Sequence, residues 1–380
     1  MKQSLNMRPF EKYLKIVSLI RRCARYCGAD IFKENYKLNV VTALVFGSIL
    51  FWFVFTIYTI YVKMSEAWQI ALEAFCMGGS VIQGLVKLLS AIMFRHLLCA
   101  FIFEIECIYR EYETKGHTYL RELNNILTKI NKSLLFIAIS YLIVFFGLLS
   151  TPLIYFVFRD EKIFIMHFLI PGLDPKSDVG YLVITFAQAT CMFFGTFGNF
   201  AADVLFLTIA MHAELFSKIL KEKVRELNEN LEKDRQSEGI RNILLNILKW
   251  HQNYIEYTAN IDRAFFWVIF VQIGTCGLAI LLTAFIVLTG SWPAGHAYLI
   301  YSVAMLFTFC TLGTITDIIN DEILEHIYEL NWYNLHYKDQ QLILIMLRKA
   351  QDVNSLTVGG LMPLSVGTAA INIYDIFSFL

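Results

Sequence analysis

Residues 38–62 read LNVVTALVFGSILFWFVFTIYTIYV, an uncharged run between Lys37 and Lys63. As a helix rising 1.5 Å per residue, such a run is long enough to cross a hydrocarbon layer of about 30 Å. A basic segment precedes it and no small-residue cleavage site follows, so it reads as a membrane span rather than a signal peptide. Six further runs qualify on either measure of length and apolarity: 68–94, 133–158, 181–211, 264–289, 297–319 and 358–380. The last is short and holds Gly359, Gly360, Pro363 and Gly367. Composition agrees, at 57% hydrophobic and 17% charged residues, where soluble domains lie near 45–50% and about 25%. The expected fold class is therefore all-α, a polytopic membrane protein with seven transmembrane helices.

The basic residues orient the chain. Nine Lys and Arg precede the first span, and the successive connections then carry one, six, three, nine, none and three. Cytosolic loops are the ones enriched in Lys and Arg. A cytosolic N-terminus gathers 27 of these charges inside and leaves four outside, with Lys87 inside the second run. Seven spans then put the C-terminus outside. A G-protein-coupled receptor has the opposite orientation. No Asp-Arg-Tyr follows the third run and no Asn-Pro-x-x-Tyr lies in the seventh. The net charge of zero offers no nucleic-acid footprint.

The cytosolic segments read as helix. Residues 240–258 place Ile243, Leu244, Ile247, Leu248, Trp250, Tyr254 and Tyr257 on one stripe, and 320–336 repeat this with Ile323, Leu324, Ile327, Tyr328, Leu330 and Trp332. Apolar stripes outside a bilayer must bury against something, so long helices are expected to continue past the membrane into a cytosolic anchor bundle. The expected organisation is 1–37 cytosolic, 38–211 spans one to four, 212–263 a cytosolic helical extension, 264–319 spans five and six, 320–357 cytosolic anchor helices, and 358–380 the seventh span. The eight cysteines lie away from the expected outer loops and lack zinc-ligand spacing. No nucleophile–base pair or phosphate-cradling loop appears. Neither metal, cofactor nor enzymatic activity is expected.

The C-terminal stretch carries a specific pattern. It runs Gly313-Thr314, Ile327-Tyr328-Glu329-Leu330-Asn331-Trp332, Met346-Leu347-Arg348-Lys349-Ala350-Gln351, Val358-Gly359-Gly360, Pro363-Leu364-Ser365, Ile373-Tyr374 and Phe377-Ser378-Phe379-Leu380. This resembles the C-terminal signature of insect odorant receptors over about 70 residues. Gly172-Leu173-Asp174-Pro175 before Tyr181, and Gln188, look like that family's second outer loop. The resemblance implies a heterotetrameric, odour-gated cation channel in the plasma membrane of a sensory neuron, built with a common co-receptor. The co-receptor has a much longer fourth loop, so this chain looks like the odour-tuned subunit. Gustatory receptors share the fold but end in a Thr-Tyr and Gln-Phe pattern, absent here; a gustatory-type channel is the alternative, and a metabotropic receptor stands behind it.

Candidate residues follow from both readings. In the seventh run Ser365, Thr368, Asn372 and Asp375 recur at helical spacing, a polar face that lines an ion path or bonds neighbouring helices. The resemblance implies an apolar gate near the outer end, at Phe377 with Leu380 or Ile373. It also implies an odour pocket in the outer halves of spans two, three, four and six. These halves offer Phe75, Met77 and Gly78; Phe146, Gly147, Ser150, Thr151 and Ile154; Phe186, Thr190, Phe193 and Phe194; and Tyr298, Tyr301 and Met305. Such a wall suits an aromatic or heteroaromatic volatile, although ordinary helix packing uses the same residues. Trp250, Tyr328 and Trp332 are the expected anchors of the bundle and of subunit contacts.

Overall fold

The computed structural model describes residues 7–33, 36–63, 68–166, 168–233, 238–289, 292–352, 355–368 and 370. Helix α1 (Pro9–Tyr26) opens on a proline, whose fixed φ suits a first helical position. Its face of Tyr13, Ile16, Val17 and Ile20 is buried, the stripe expected of an amphipathic helix. There follow α2 (Val40–Lys63), α3 (Trp68–Met93), α4 (Arg95–Tyr112), α5 (His117–Arg159), α6 (Asp178–Lys233), α7 (Glu238–Leu288), α8 (Gly295–Tyr328) and α9 (Tyr337–Gln351). Among the described residues, six helices are long and apolar enough to cross a membrane, and they contain the first six expected runs.

Several helices far exceed the need of a span. α5 has 43 residues and α6 has 56, or about 65 and 84 Å at 1.5 Å per residue. Their surplus turns pack with α1, α4, the start of α7 and the end of α8 into one hydrophobic bundle. This is the basic end of the molecule. α6 is the axis, in contact with α1, α3, α5, α7 and α8. Nearly every side chain from Val204 to Leu220 is buried, the behaviour of a helix apolar all round. α1 falls in the expected cytosolic N-terminal segment and α4 between the second and third expected spans; both contact α6.

The last expected span begins later than position 358. Thr357–Val358 (β1) pairs antiparallel with Met362–Pro363 (β2), and Gly359 and Gly360 turn between them with φ of +62° and +71°. That backbone suits glycine alone at no steric cost. A Cβ on Gly359 would also lie 2.5 Å from the Phe270 ring on α7. Asp262 of α7 holds the hairpin, accepting from Thr357 N at 3.1 Å and from its hydroxyl at 3.2 Å. Helical backbone resumes at Val366. Asn372, Ile373, Asp375, Phe377 and Leu380 lie outside the described residues.

Candidate functional site

A cavity of about 180 Å³ lies inside the bundle, walled by α1, α2, α3, α5, α6, α7 and α8. This is well above the ~10–15 Å³ that one water needs. Most of the wall is apolar, with Val45, Ile49, Met77, Val144, Met192 and Leu205 among its residues. The polar part is small. Ser80, Lys87, Tyr141, Asn199, Tyr298 and Tyr301 reach the same space.

One of these polar groups, Lys87, is charged and has a charged partner. Lys87 on α3 meets Asp203 on α6 at 2.6 Å, with side chains 2% and 1% exposed. The Tyr141 hydroxyl on α5 donates to the other carboxylate oxygen at 2.5 Å. A lone charge at this depth is costly; paired and hydrogen-bonded, the two are held by each other. Lys87 Nζ also lies 5.8 Å from the centroid of the Phe309 ring. Higher up, Tyr298 donates to the Cys76 carbonyl at 2.7 Å and shares a 2.8 Å hydrogen bond with Ser80. Asn199 Nδ2 donates to the Gly195 carbonyl at 3.0 Å and approaches that of Ser80 at 3.4 Å.

Of the candidate pocket residues, Met77, Phe194, Tyr298 and Tyr301 line this cavity. The others sit elsewhere, for identifiable reasons. Phe75, Phe146, Ile154 and Phe186 point out of the bundle and are at least half exposed. Phe193 packs on Phe197 and Tyr26. Gly78 backs onto the Trp52 indole at 3.5 Å. Gly147 is a contact between helices, since a Cβ there would lie 2.6 Å from that of Ala297. Ser150, Thr151 and Thr190 turn their hydroxyls back onto their own helices, to the carbonyls of Gly147 and Phe186. Met305 is fully buried in the core. The cavity therefore runs deeper along α3 and α6 than the outer halves of the spans.

Of the polar residues expected in the last span, Ser365 and Thr368 are described, and they form a cap. Ser365 Oγ accepts from Thr368 N at 3.1 Å, three residues on, the geometry of an N-cap. Thr368 Oγ1 returns to the Pro363 carbonyl at 2.9 Å. Trp250 anchors the bundle from within: its indole donates to the Phe216 carbonyl at 2.9 Å and its ring meets Phe216 and Tyr112. Tyr328 and Trp332 are largely exposed on the surface of the chain, and Gln351 donates to the Tyr328 hydroxyl at 3.2 Å.

Sequence reasoning missed Tyr141, Asn199 and Trp52, which line the cavity, and Asp203, which pairs with Lys87 and accepts from Tyr141. A signal existed for the last. Asp203 is the only charged residue in the run 181–211, and Lys87 is the only base in 68–94. Two opposite charges in neighbouring apolar runs are candidates for one ion pair.

An all-helical bundle of long apolar helices around a small, mainly apolar cavity defines a multi-pass membrane protein. The chain belongs to the odorant receptor family: the model described as "7tm Odorant receptor" matches residues 67–371. Putative odorant receptor 83c of Drosophila melanogaster is 26% identical over 374 residues, spanning 95% of this chain and 94% of that one. Odorant receptor 22c of the same fly is 21% identical over half of this chain. The fold is similar to that of the insect olfactory receptor OR5 from Machilis hrabei. In complex with eugenol, that structure gives a TM-score of 0.76 at 16% identity and covers 97% of this chain and 96% of its own. A second structure of the same receptor gives a TM-score of 0.74 at 18% identity, covering 97% of each chain.

Proposed function

We propose that this chain is the odour-binding, tuning subunit of a heteromeric, ligand-gated, non-selective cation channel in the plasma membrane of olfactory sensory neurons. Its ligand is a small aromatic or heteroaromatic volatile, and its partner is the common odorant co-receptor. The observation that carries the reading is the partly open cavity, apolar with a few convergent polar groups, in a chain of the odorant receptor family. The OR5 receptor with a similar fold was solved with eugenol, a small aromatic. The short connection between α6 and α7 favours a tuning subunit over the co-receptor. The 27-to-4 distribution of Lys and Arg supports a cytosolic position for the end of the bundle that carries most of them. The exposed Tyr328 and Trp332 then meet neighbouring subunits there. The last span, from Val366 onward, lines the pore, with Asn372 and Asp375 on its polar face and Phe377, Ile373 and Leu380 at its gate.

Volatile binding opens the channel by favouring the open arrangement over the closed one. The test is expression with and without the co-receptor, under whole-cell recording. Odour-evoked cation current should require both chains. A current that needs a G protein and no second subunit overturns the channel reading. An N-terminal tag should be inaccessible to antibody on intact cells; labelling there overturns the orientation.

A further inference from the structure

The cavity wall holds more hydrogen-bonding capacity than the chain itself uses. Asn199 is 6% exposed and its Oδ1 has no hydrogen-bond partner among the described residues. The amide orientation is settled by its surroundings, since Nδ2 faces two carbonyls. The free atom is therefore an acceptor. Lys87 carries three N–H donors, and its ammonium meets one carboxylate oxygen of Asp203 among the described residues. Trp52, 4% exposed, brings an indole N–H that finds no acceptor among the described residues. All three residues line the one cavity.

Their placement is ordered. α3 and α6 lie side by side, with Gly84 against Asn199 and Lys87 against Asp203. Asn199 and Asp203 are one turn apart on α6, as Gly84 and Lys87 are on α3. Gly84 opens this approach: a Cβ there would lie 3.3 Å from Asn199 Nδ2. An acceptor thus sits one turn above an ammonium, on the same wall, under an apolar roof. Lys87 and Asp203 neutralise each other, so the wall has polarity without net charge. It would not compensate a second, ligand-borne charge.

We propose that the cavity selects neutral volatiles bearing a hydroxyl group, which donates to Asn199 Oδ1 and accepts from Lys87 Nζ, with Trp52 Nε1 as a second donor. This rests on the odour-receptor reading and specifies its ligand by functional group: whatever the apolar body, which that reading makes aromatic, it carries one donor–acceptor oxygen. A carboxylate would add an unpaired charge. A hydrocarbon would leave all three buried groups unsatisfied, which a site built to hydrogen-bond penalises heavily. A methyl ether accepts but cannot donate, and falls between.

The experiment records the chain with its co-receptor against matched sets of volatiles in straight-chain, branched and phenyl series. Each set comprises an alcohol, its methyl ether, its parent hydrocarbon and the corresponding acid. The alcohol should evoke half-maximal current at a concentration at least about tenfold below the hydrocarbon, the worth of one buried hydrogen bond, with the ether between. Asn199→Leu should bring alcohol and ether together while the hydrocarbon response persists. The neutral double variant Lys87→Met with Asp203→Leu should shrink the advantage of the ether over the hydrocarbon, leaving Trp52 Nε1 as its remaining donor. Equal potency of alcohol, ether and hydrocarbon in the unmodified receptor overturns the proposal while leaving odour gating standing. So does an advantage of alcohol over ether that survives Asn199→Leu, or an advantage of ether over hydrocarbon that is undiminished in the double variant. Should neither variant reach the cell surface, the ligand series on the unmodified receptor decides. Absence of current to any volatile, with both subunits at the surface, overturns the odour-receptor reading itself, and this proposal with it.

Discussion

The two halves of α6 are built differently. From Asp178 to about Phe200 the helix buries only scattered positions, among them Gly180, Ile184, Gln188, Met192 and Asn199. From Ala201 to Leu220 it buries nearly every side chain. The first half borders the cavity and loosely packed neighbours such as α2, which buries five of its 24 residues. The second half is a core in the sense of a soluble protein. Phe216 lies among Trp250, Tyr254 and Tyr257, with ring centroids 4.8–5.9 Å apart. Tyr13 stacks on Tyr109 at 5.0 Å, and both meet His212 edge-on. In lipid, apolar side chains gain little by meeting one another, and helix contacts rest on packing and polar bonds. In water the hydrophobic effect acts in full. One helix thus crosses from a region that can rearrange at low cost into one that cannot, which suits a sensor mounted on an anchor.

That contrast can be broken from either side. Phe216→Ala removes a fully buried ring from the anchor and should cost about 4 kcal/mol; purified receptor should melt far lower or fail to assemble, and an unchanged melting temperature would show that the anchor is not the stabilising core. In the sensing half the largest effect should come from charge rather than volume. Lys87→Met alone strands Asp203 and should cost about 3 kcal/mol, whereas the neutral Lys87→Met, Asp203→Leu pair should recover most of the loss. Equal melting temperatures for the single and double variants would mean that the ion pair does not hold α3 to α6. The hairpin at 357–363 leads to the helical backbone that begins at Val366 and packs on α7 and α8. A Cβ on Gly313 of α8 would lie 1.8 Å from the Leu364 carbonyl, and Val366 N donates to Thr314 Oγ1 at 3.0 Å. Gly313→Ala should therefore displace the start of the last helix, cost about 2 kcal/mol and alter basal current more than odour sensitivity. A shift in odour sensitivity with unchanged basal current would place this contact on the sensing side.

How much of this was legible beforehand follows the same division. The six long apolar runs were plain because lipid demands apolar length, and that demand is written along the chain in consecutive residues. The anchor stripe of Leu244, Ile247, Tyr254 and Tyr257 was legible because water-facing helices must segregate their faces; all four are buried. Helix α1 has an equally clear stripe, at Tyr13, Ile16, Val17 and Ile20, hidden in a segment read only for its charge. The cavity was harder. Both faces of a membrane helix are apolar, so Phe75 and Phe194 look alike in sequence, yet Phe75 points outward and Phe194 inward. Aromatic content cannot separate them, whereas rare polar residues can. Lys87, Asp203 and Asn199 are conspicuous in their runs because lipid would not tolerate them. The hairpin at 357–363 was masked by apolarity. Val358, Leu361 and Met362 read as span, while Gly359-Gly360 carried the turn signal.

The smallest effect tests whether the anchor is as dry as the comparison makes it. Glu104 lies on α4, at the basic end, partly buried beside α7. Burial, and then repulsion from Glu256, lift its pKa from 4.5 to about 7. An acid whose pKa rises on folding holds its proton more tightly in the folded chain. Its cost to stability is absent below 4.5, grows as pH rises through this window and is complete above about 7. Because the carboxyl is only partly buried, the cost after screening is of the order of 1 kcal/mol. Glu104→Gln keeps the shape and removes the charge. It should raise the melting temperature by about 2 °C near pH 8 and leave it unchanged near pH 5, where the native side chain is already neutral. Melting curves of the two proteins across that range would decide. Curves that stay parallel, or a gain confined to acid pH, would mean that water reaches α4 freely and that the anchor is wetter than its aromatic core implies.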